Sequence, residues 1–541
     1  MLFERNLEKK AGSLDEALDS THAASIVQQS AFDPDNGLKR GLKNRHVSLI
    51  ALAGIIGPGI LIGAGGALHS GGPASLIIGF GVVGILAFSV MQSLGELSTM
   101  YPSGGAFSTL CNKFVDPAFG AAVGWNYVIV WIAVLSNEYN SVSSIMQYWG
   151  PQVPLYGYIL MFWALFMAFQ FLGVEAFGEL EFWLALFKIV GLITFYIFSI
   201  IYISGGLPHQ KAFGFEYWNN PGAFADGFKG VVSVFVFCST FYSGTESVAI
   251  AASESRNPSV AVPSAIRQTF WRILVIYMGV AVFYGVTVPW NDDNLMGSSR
   301  TLKSPITIAL TRAGWGSSPH LVNAFILVTC ISAVNSSIYI GSRSIINLAN
   351  EGLAPKFLTY VNKRGVPVCA VVLMNLFGLL SLMNVSTGAA NAYSYIVNLS
   401  GVSVFIVWGS INFAHLRFRR ALKLQGVSTD ILPYKAAWFP WLSYVGLFGN
   451  VFLGLIQGWS YFKPFDAGNF VDAYILLPVF VIIFFLIKLI NKTKWVNLAE
   501  VDLDEGRRKD LDGVDAETLI DSEGFDKAEK KFTWKSLFSW M

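Results

Sequence analysis

The fold of this chain is decided by the stretch Ala53-Gly54-Ile55-Ile56-Gly57-Pro58-Gly59-Ile60-Leu61-Ile62-Gly63. It lies inside the first long apolar run, which is long enough to cross a bilayer. A regular helix cannot continue through its middle, because Pro58 lacks an N–H and stands between two flexible glycines. In hydrocarbon, a broken helix survives only where protein, water or a ligand covers its polar backbone. The stretch therefore indicates either a binding site at mid-membrane or a proline kink with repaired hydrogen bonds.

The composition places the chain in a membrane. Of its 541 residues, 53% are hydrophobic and only 13% are charged, and the mean hydropathy is +0.52. Soluble domains carry about 25% charged residues. The net charge of +2 gives no reason to expect a nucleic-acid partner. The four cysteines lack the spacing of metal ligands, so no metal site is predicted.

Apolar runs follow one another along the chain, each near the roughly 20 residues that a spanning helix needs. The sequence therefore predicts an all-α polytopic membrane protein with about twelve transmembrane helices. The predicted spans, numbered one to twelve, are Val47–Leu68, Pro73–Ser98, Ala118–Trp149, Leu155–Gly173, Phe182–Ser204, Phe228–Ala252, Phe270–Trp290, His320–Leu348, Val366–Met383, Ala392–Ala414, Trp438–Trp459 and Asp472–Ile490.

The distribution of Lys and Arg predicts the orientation, because cytoplasmic loops carry an excess of both. With the N-terminus inside, fifteen such residues flank the cytoplasmic side and six flank the other. Both polar tails, residues 1–46 and 491–541, are therefore predicted to be cytoplasmic. Lys9 and Lys10 are candidate acceptors for a ubiquitin ligase. The basic run Arg417-Phe418-Arg419-Arg420 is predicted to anchor on anionic membrane lipid.

Span six repeats the anomaly of span one. The stretch Ser239-Thr240-Phe241-Tyr242-Ser243-Gly244-Thr245-Glu246-Ser247 interrupts an apolar run with hydroxyl groups, a glycine and an acid. Two interrupted spans at corresponding positions of oppositely oriented halves point to an inverted-repeat transporter. We predict one five-helix repeat at 47–204, a second, inverted repeat at 228–414, and two accessory helices at 438–490.

Three charged residues stand out within the predicted spans: Glu138 in span three, Lys188 in span five and Glu246 in span six. A charge at bilayer depth costs at least about 2.5–3.5 kcal/mol, so each should face the bundle interior and have a partner. Two acids and one base are too few to neutralise one another completely. One interpretation is structural, with Lys188 holding helices together. The other is proton or substrate handling, since burial shifts the pKa values of such groups towards neutral pH.

Several motifs resemble one family, the fungal amino-acid permeases of the amino acid–polyamine–organocation superfamily. The similarity extends from about Leu38 to Asp510, and within the family it is greatest to the low-affinity, broad-specificity general amino-acid permease subgroup of yeast. The motifs that carry it are Gly-Ile-Ile-Gly-Pro-Gly (54–59), Tyr-Pro-Ser-Gly-Gly-Ala-Phe (101–107), Glu-Phe-Trp-Leu-Ala-Leu-Phe-Lys (181–188), Phe-Tyr-Ser-Gly-Thr-Glu-Ser (241–247), Asn-Ser-Ser-Ile-Tyr (335–339) and Asp-Glu-Gly-Arg-Arg (504–508).

The resemblance implies a LeuT-type fold of 5+5 inverted repeats and proton-coupled uptake of amino acids at the plasma membrane, driven by the proton gradient and without a cofactor. It also implies site residues by position. Amides around Gly57, Gly59 and Ile60 would bind the substrate carboxylate at a helix N-terminus. Carbonyls near Ile55, Thr240 and Ser243, in the break that includes Gly244 and Thr245, would bind the amino group. Lys188 would couple protons, with Glu246 as a second candidate, and Glu138 would lie near the substrate.

One position departs from the family pattern. The family usually has Ser or Thr between the two glycines, where this chain has Pro58. The change removes a hydroxyl group and an N–H donor. Carboxylate binding would then depend on the remaining amides, such as those of Gly59 and Ile60.

Two other functions compete with import. An amino-acid sensor could keep the permease fold, although sensors of this family carry a cytoplasmic extension much longer than the about 45 residues here. A carrier of polyamines, choline or γ-aminobutyrate is the other alternative, and a cargo without a carboxylate would leave the amides of span one without a purpose. No nucleophile–base pair or metal cluster in the sequence suggests an enzyme.

Overall fold

The computed structural model describes residues 37–53, 56–102, 107–208, 210–255, 258–296, 304–385, 390–462 and 465–507. These residues form helices and connecting turns, with no β-strand among them. The site prediction for Ile55 and the candidate ubiquitin acceptors Lys9 and Lys10 lie outside the described residues.

Helical segments occur at each of the twelve predicted spans. In chain order the α-helices, with the π-helical segments that adjoin them, are α1 (Asn44–Ala53), a π-helical turn (Gly59–Gly63), α2 (Ala64–Gly71), α3 (Pro73–Met100), α4 (Phe107–Phe114), α5 (Pro117–Met146), α6 (Leu155–Gln170), α7 (Val174–Ile203), α8 (Gly227–Tyr242), α9 (Ser247–Ser253), α10 (Pro258–Trp271), a π-helical segment (Arg272–Met278), α11 (Gly279–Thr287), α12 (Pro305–Arg312), α13 (Ser318–Asn350), α14 (Val368–Gly378), α15 (Ala390–Leu424), α16 (Trp441–Ile456), α17 (Ala467–Tyr474) and α18 (Leu476–Asn491).

Eight segments of the described chain are long and apolar enough to cross a membrane, and α6 and α16 are shorter apolar helices. The chain is therefore an all-helical, multi-pass membrane protein. The twelve-span count, the 5+5 repeat and the domain boundaries remain predictions.

The centre of the molecule is built around α5, which packs along α13 and α15. The helix α5 contains 21 buried residues, including Asn126, Ser136 and Asn140. A helix whose side chains are apolar or small enough for other helices to cover it on several sides belongs inside a bundle rather than against lipid. The broken helices lie around this core, where α1 packs on α7 and α10, and α2 packs on α8.

The described residues after α18, 492–507, pack onto the rest of the protein. Leu498 and Leu503 are 6% and 8% exposed, in an apolar cluster with Phe114 and Phe418. The Tyr101 hydroxyl donates to the Leu503 carbonyl at 2.7 Å. This segment therefore fastens the end of α3 to the end of α15.

Two arginines of the basic run at the end of α15 bind other parts of the protein. Arg419 forms an ion pair with the fully buried Glu96 of α3, with Nη2 2.7 Å from Oε2. Arg417 donates to the backbone carbonyls of Phe114 and Val496, the latter at 2.8 Å. Arg417 and Arg419 therefore have partners within the protein, whereas Arg420 is exposed, and anchoring of this run on anionic lipid stays a prediction.

Candidate functional site

The first break lies where the sequence predicts it. Helix α1 ends at Ala53, Ile56 and Gly57 are not helical, and the chain becomes helical again at Pro58. This is an interrupted helix rather than a kinked one. Pro58 occupies the N-cap of the π-helical turn with φ −62° and ψ −20°. A proline there sacrifices no hydrogen bond, because the first N–H groups of a helix have no intrahelical partner.

The position of Pro58 shows how this departure from the family pattern affects the first break. The amides of Gly59 and Ile60 belong to the first turn of the resumed helix. They stand where a helix N-terminus attracts an anion. Pro58 therefore begins the half-helix that the prediction needs, and it removes a donor only at the cap. That these amides bind a carboxylate remains a prediction.

The second break is also present. Helix α8 ends at Tyr242 and α9 begins at Ser247. Between them Ser243 is extended, and Gly244 has φ +86°, a conformation that favours glycine. The Thr245 hydroxyl donates to the Tyr242 carbonyl at 2.6 Å and satisfies one group of the broken helix end. The Ser243 N–H donates to the carbonyls of Ser239 and Thr240, at 3.0 and 3.3 Å.

The two breaks touch each other through Phe241. A Cβ atom added at Gly59 would lie 3.2 Å from the Phe241 ring, and one added at Gly63 would lie 3.4 Å from it. The glycines of the first break therefore admit the aromatic ring of the second. The Tyr277 hydroxyl donates to the Phe241 carbonyl at 2.7 Å and holds this residue from the opposite side.

Glu246 holds the second break in shape. Its Oε1 accepts from the Gly244 N–H at 3.1 Å, and its Oε2 accepts from Trp408 Nε1 at 3.0 Å. Both Glu246 and Trp408 are buried. The observed contacts give Glu246 a structural task at the break, and its predicted role in proton coupling stays a prediction.

Lys188 is fully buried and reaches Ser332 of α13. Its Nζ donates to Ser332 Oγ at 2.7 Å, and the Ser332 hydroxyl donates to Glu181 Oε2 at 2.6 Å. Glu181 Oε1 accepts from Asn335 Nδ2 at 3.1 Å. Gln170 of α6 completes the cluster by donating to Asn335 Oδ1 at 2.8 Å. The structure thus brings a buried base and a buried acid to the two sides of one hydroxyl group.

Glu181 was missed as an intramembrane charge, because the predicted fifth span begins at Phe182. In the structure α7 begins eight residues earlier, at Val174, so Glu181 lies two turns inside the helix. The available signal was its spacing from Lys188. Residues seven apart on a helix share a face, so an acid and a base at this spacing can serve one polar cluster.

Arg272 and Arg343, two of the fifteen Lys and Arg residues that the sequence assigns to the cytoplasmic side, are both buried. Arg272 follows α10 directly and donates from Nε and Nη2 to the Tyr277 hydroxyl, at 3.1 and 2.7 Å. Through Tyr277 it supports the Phe241 carbonyl at the second break. Without these two, thirteen Lys and Arg residues remain on the predicted cytoplasmic side, against six on the other. The excess therefore still predicts a cytoplasmic N-terminus.

Glu138 lies on the same face of α5 as Tyr127 and Trp131, because residues four and eleven apart return to one side of a helix. It is 7% exposed. Its predicted contact with a substrate is a matter for experiment.

One end of the bundle is closed by a buried ion pair. Arg343 Nε of α13 lies 2.8 Å from Glu254 Oε1, directly after α9, and both side chains are at most 3% exposed. The Arg343 guanidinium also lies 4.2 Å from the centre of the Tyr339 ring. The Leu42 N–H donates to the Glu254 carbonyl at 3.0 Å, so the segment before α1 joins the same closure.

Comparison with known proteins agrees with this architecture. The model of the family described as "Amino acid permease" matches residues 46–499. General amino acid permease AGP3 of Saccharomyces cerevisiae is 62% identical over 485 residues, which cover 89% of this chain and 87% of that relative. A Schizosaccharomyces pombe protein named uncharacterized amino-acid permease C965.11c is 51% identical over 97% of both chains. Amino-acid permease GAP3 of Candida albicans is 39% identical over 90% of this chain and 82% of that relative.

These matches extend over both broken helices, the buried polar cluster of α7 and α13, and the closing ion pair. The family members are transporters and not enzymes. This chain therefore belongs to the amino acid permease family.

Proposed function

We propose that this chain imports amino acids across the plasma membrane, coupled to protons, by alternating access. The observation that carries the proposal is the contact between two broken helices, where the glycines of one admit the Phe241 ring of the other. Broken helices that meet inside a bundle give a transporter its binding site, because their free ends supply donors and acceptors at mid-membrane.

The expected substrate is a free amino acid held by both of its charged groups. Its carboxylate would meet the amides of Gly59 and Ile60 at the start of a half-helix. Its amino group would meet the carbonyl end of α8, near Thr240 and Ser243. Contacts to the backbone recognise the part that all amino acids share. Together with the general amino acid permease named among the relatives, this supports broad specificity with low affinity.

Coupling to protons is supported by the buried charges. Intramembrane acids and bases mark ion and proton pathways in transporters. Lys188 and Glu181, joined through the Ser332 hydroxyl, form such a group. Alternating access is supported by the closed end of the bundle, where the Glu254–Arg343 pair would have to separate before a substrate could leave on that side.

The test is uptake of a panel of radiolabelled amino acids by cells that express the chain, with and without a proton uncoupler. We expect several neutral amino acids to accumulate and the uncoupler to abolish accumulation. Amino-acid amides should compete poorly, because they lack the carboxylate. Transport of polyamine or choline in place of amino acids would contradict the carboxylate site, and amino-acid binding without transport would indicate a sensor.

A lysine variant tests the coupling itself. Lys188→Ala should abolish accumulation against a gradient, because it removes the buried base that donates to Ser332. A well-folded variant that still concentrates substrate would show that the proton is carried elsewhere.

A further inference from the structure

Glu181, Ser332 and Lys188 form a continuous hydrogen-bonded chain between α7 and α13. The two steps are short, 2.7 Å from Lys188 Nζ to Ser332 Oγ and 2.6 Å from Ser332 Oγ to Glu181 Oε2. All three side chains are fully buried. A hydroxyl group can accept one hydrogen bond while it donates another, so it can pass a proton along without holding a charge.

We propose that Glu181 is the second station of a proton relay that begins at Lys188 and passes through the Ser332 hydroxyl. This inference rests on the proposed proton-coupled import. In the forward step the Lys188 ammonium gives a proton to Ser332 Oγ while the original hydroxyl proton moves to Glu181 Oε2. An ammonium and a carboxylate become an amine and a carboxylic acid, and the serine is unchanged. No other reactant is needed, because the proton gradient supplies the proton.

The position of Glu181 indicates the direction of transfer. It lies seven residues before Lys188, which is about 10 Å along the helix towards the start of α7. With the orientation proposed above, that end of α7 is cytoplasmic. A proton that reaches Lys188 from outside would therefore leave through Glu181 on the inner side. The transfer also leaves two neutral groups, which the bilayer interior tolerates better than charged ones.

The surroundings hold the relay in place. Asn335 donates to Glu181 Oε1 at 3.1 Å and fixes the carboxylate so that Oε2 faces the serine. Ser336 of α13 lies beside the same carboxylate. Gln170 of α6 donates to both the side chain and the backbone carbonyl of Asn335. The relay is thus aligned by neighbouring side chains of α13 and by a third helix, α6, rather than by the flexible lysine alone.

Other charged and titratable groups also face the pair. Glu138 of α5, Cys330 of α13 and Arg272 after α10 act on Lys188. Towards the start of α7, His46 of α1 contacts Glu179 at 3.1 Å. These groups tune the charge state of the relay, but the two hydrogen bonds through Ser332 define its path.

The experiment separates coupling from carrier movement, using the full chain purified and reconstituted into lipid vesicles. One assay measures accumulation of a labelled neutral amino acid, together with proton entry, under an imposed pH gradient. The other measures exchange of labelled for unlabelled substrate without a gradient. For Glu181→Gln and Ser332→Ala we expect the inside-to-outside substrate ratio under the gradient to fall to about one, while exchange persists. Ser332→Thr, which keeps the hydroxyl, should retain both activities.

Each other result would overturn the relay. Undiminished accumulation by Glu181→Gln would show that Glu181 carries no proton. Loss of both accumulation and exchange in a folded Glu181→Gln protein would show that the role of Glu181 is structural. Equal failure of folded Ser332→Thr and Ser332→Ala would remove the hydroxyl from the path; if the threonine does not fit, the comparison of the two assays in Glu181→Gln decides alone. Exchange by the unsubstituted protein without any gradient-driven accumulation would instead contradict proton coupling itself.

Discussion

Gly59 combines two tasks that require the absence of a side chain. Its amide belongs to the first turn of the resumed helix, and its Cα lies where a Cβ would approach the Phe241 ring to 3.2 Å. Pro58 immediately before it fits the start of a helix. The pair Pro58-Gly59 therefore both ends the break and leaves room for the Phe241 ring beside the first turn.

We expect Gly59→Val to weaken substrate binding, because the branched side chain would cover the amides and displace Phe241. Loss of hydrogen bonds to a charged group costs about 1.5–3 kcal/mol, which is about 10- to 100-fold in affinity. The measurement is the KM for uptake of a neutral amino acid. Gly66→Val is the matched control, since a Cβ there meets nothing within 4 Å. An unchanged KM for Gly59→Val would refute the carboxylate site.

The closure at one end depends on elements rather than on a single residue. Arg343 comes from α13, Glu254 follows α9, and Leu42 precedes α1. Helix α1 is the first half of the first broken helix, and α9 is the second half of the second. The closure therefore ties both broken helices to α13. A rearrangement of the broken helices must therefore break this buried pair or carry it along.

We expect Glu254→Arg and Arg343→Glu each to reduce folded protein and uptake, because each leaves like charges together in a buried place. Breaking a buried pair costs about 3–5 kcal/mol. The combined exchange should recover part of both, as measured by the amount of folded protein at the cell surface and by uptake. Lys39→Ala is the control, since the Lys39–Glu175 pair is partly exposed and should contribute only about 0–1 kcal/mol. Single variants as stable as the unsubstituted chain would contradict the closure.

Two segments near the ends of the described chain, both within the predicted polar tails, pack against helices of the molecule. The segment around Leu498 and Leu503 packs against the ends of α3, α4 and α15. The segment before α1 is paired through Leu42 with the residues after α9. Both segments therefore link helices that are distant in the chain.

We expect Leu498→Ala to destabilise the purified full chain by about 2–5 kcal/mol, because it leaves a cavity in an apolar cluster. Thermal unfolding in detergent measures the effect. Leu424→Ala is the control, since this leucine is 56% exposed at the end of α15 and should change little. An equal midpoint for both variants would return residues 491–507 to the status of a loose tail.

The sequence by itself determined the membrane class and the two helix breaks. It also placed Glu138, Lys188 and Glu246 in the interior of the protein. These conclusions are local, since hydrocarbon tolerates neither an uncovered backbone nor an unpaired charge, whatever the rest of the fold. Even the departure at Pro58 was readable, although its place at the start of a helix was not.

Only the tertiary structure decided which groups meet. The partners of Lys188 are Ser332, 144 residues away in sequence, and through it Glu181, whose helix begins earlier than its apolar run. Arg272 and the segment at Leu498 are likewise buried by contacts with residues that are distant in the sequence. Membrane helices are apolar around most of their circumference, so periodicity does not reveal which face turns inwards. That choice follows from side-chain packing and interhelical hydrogen bonds, which exist only once the helices are assembled.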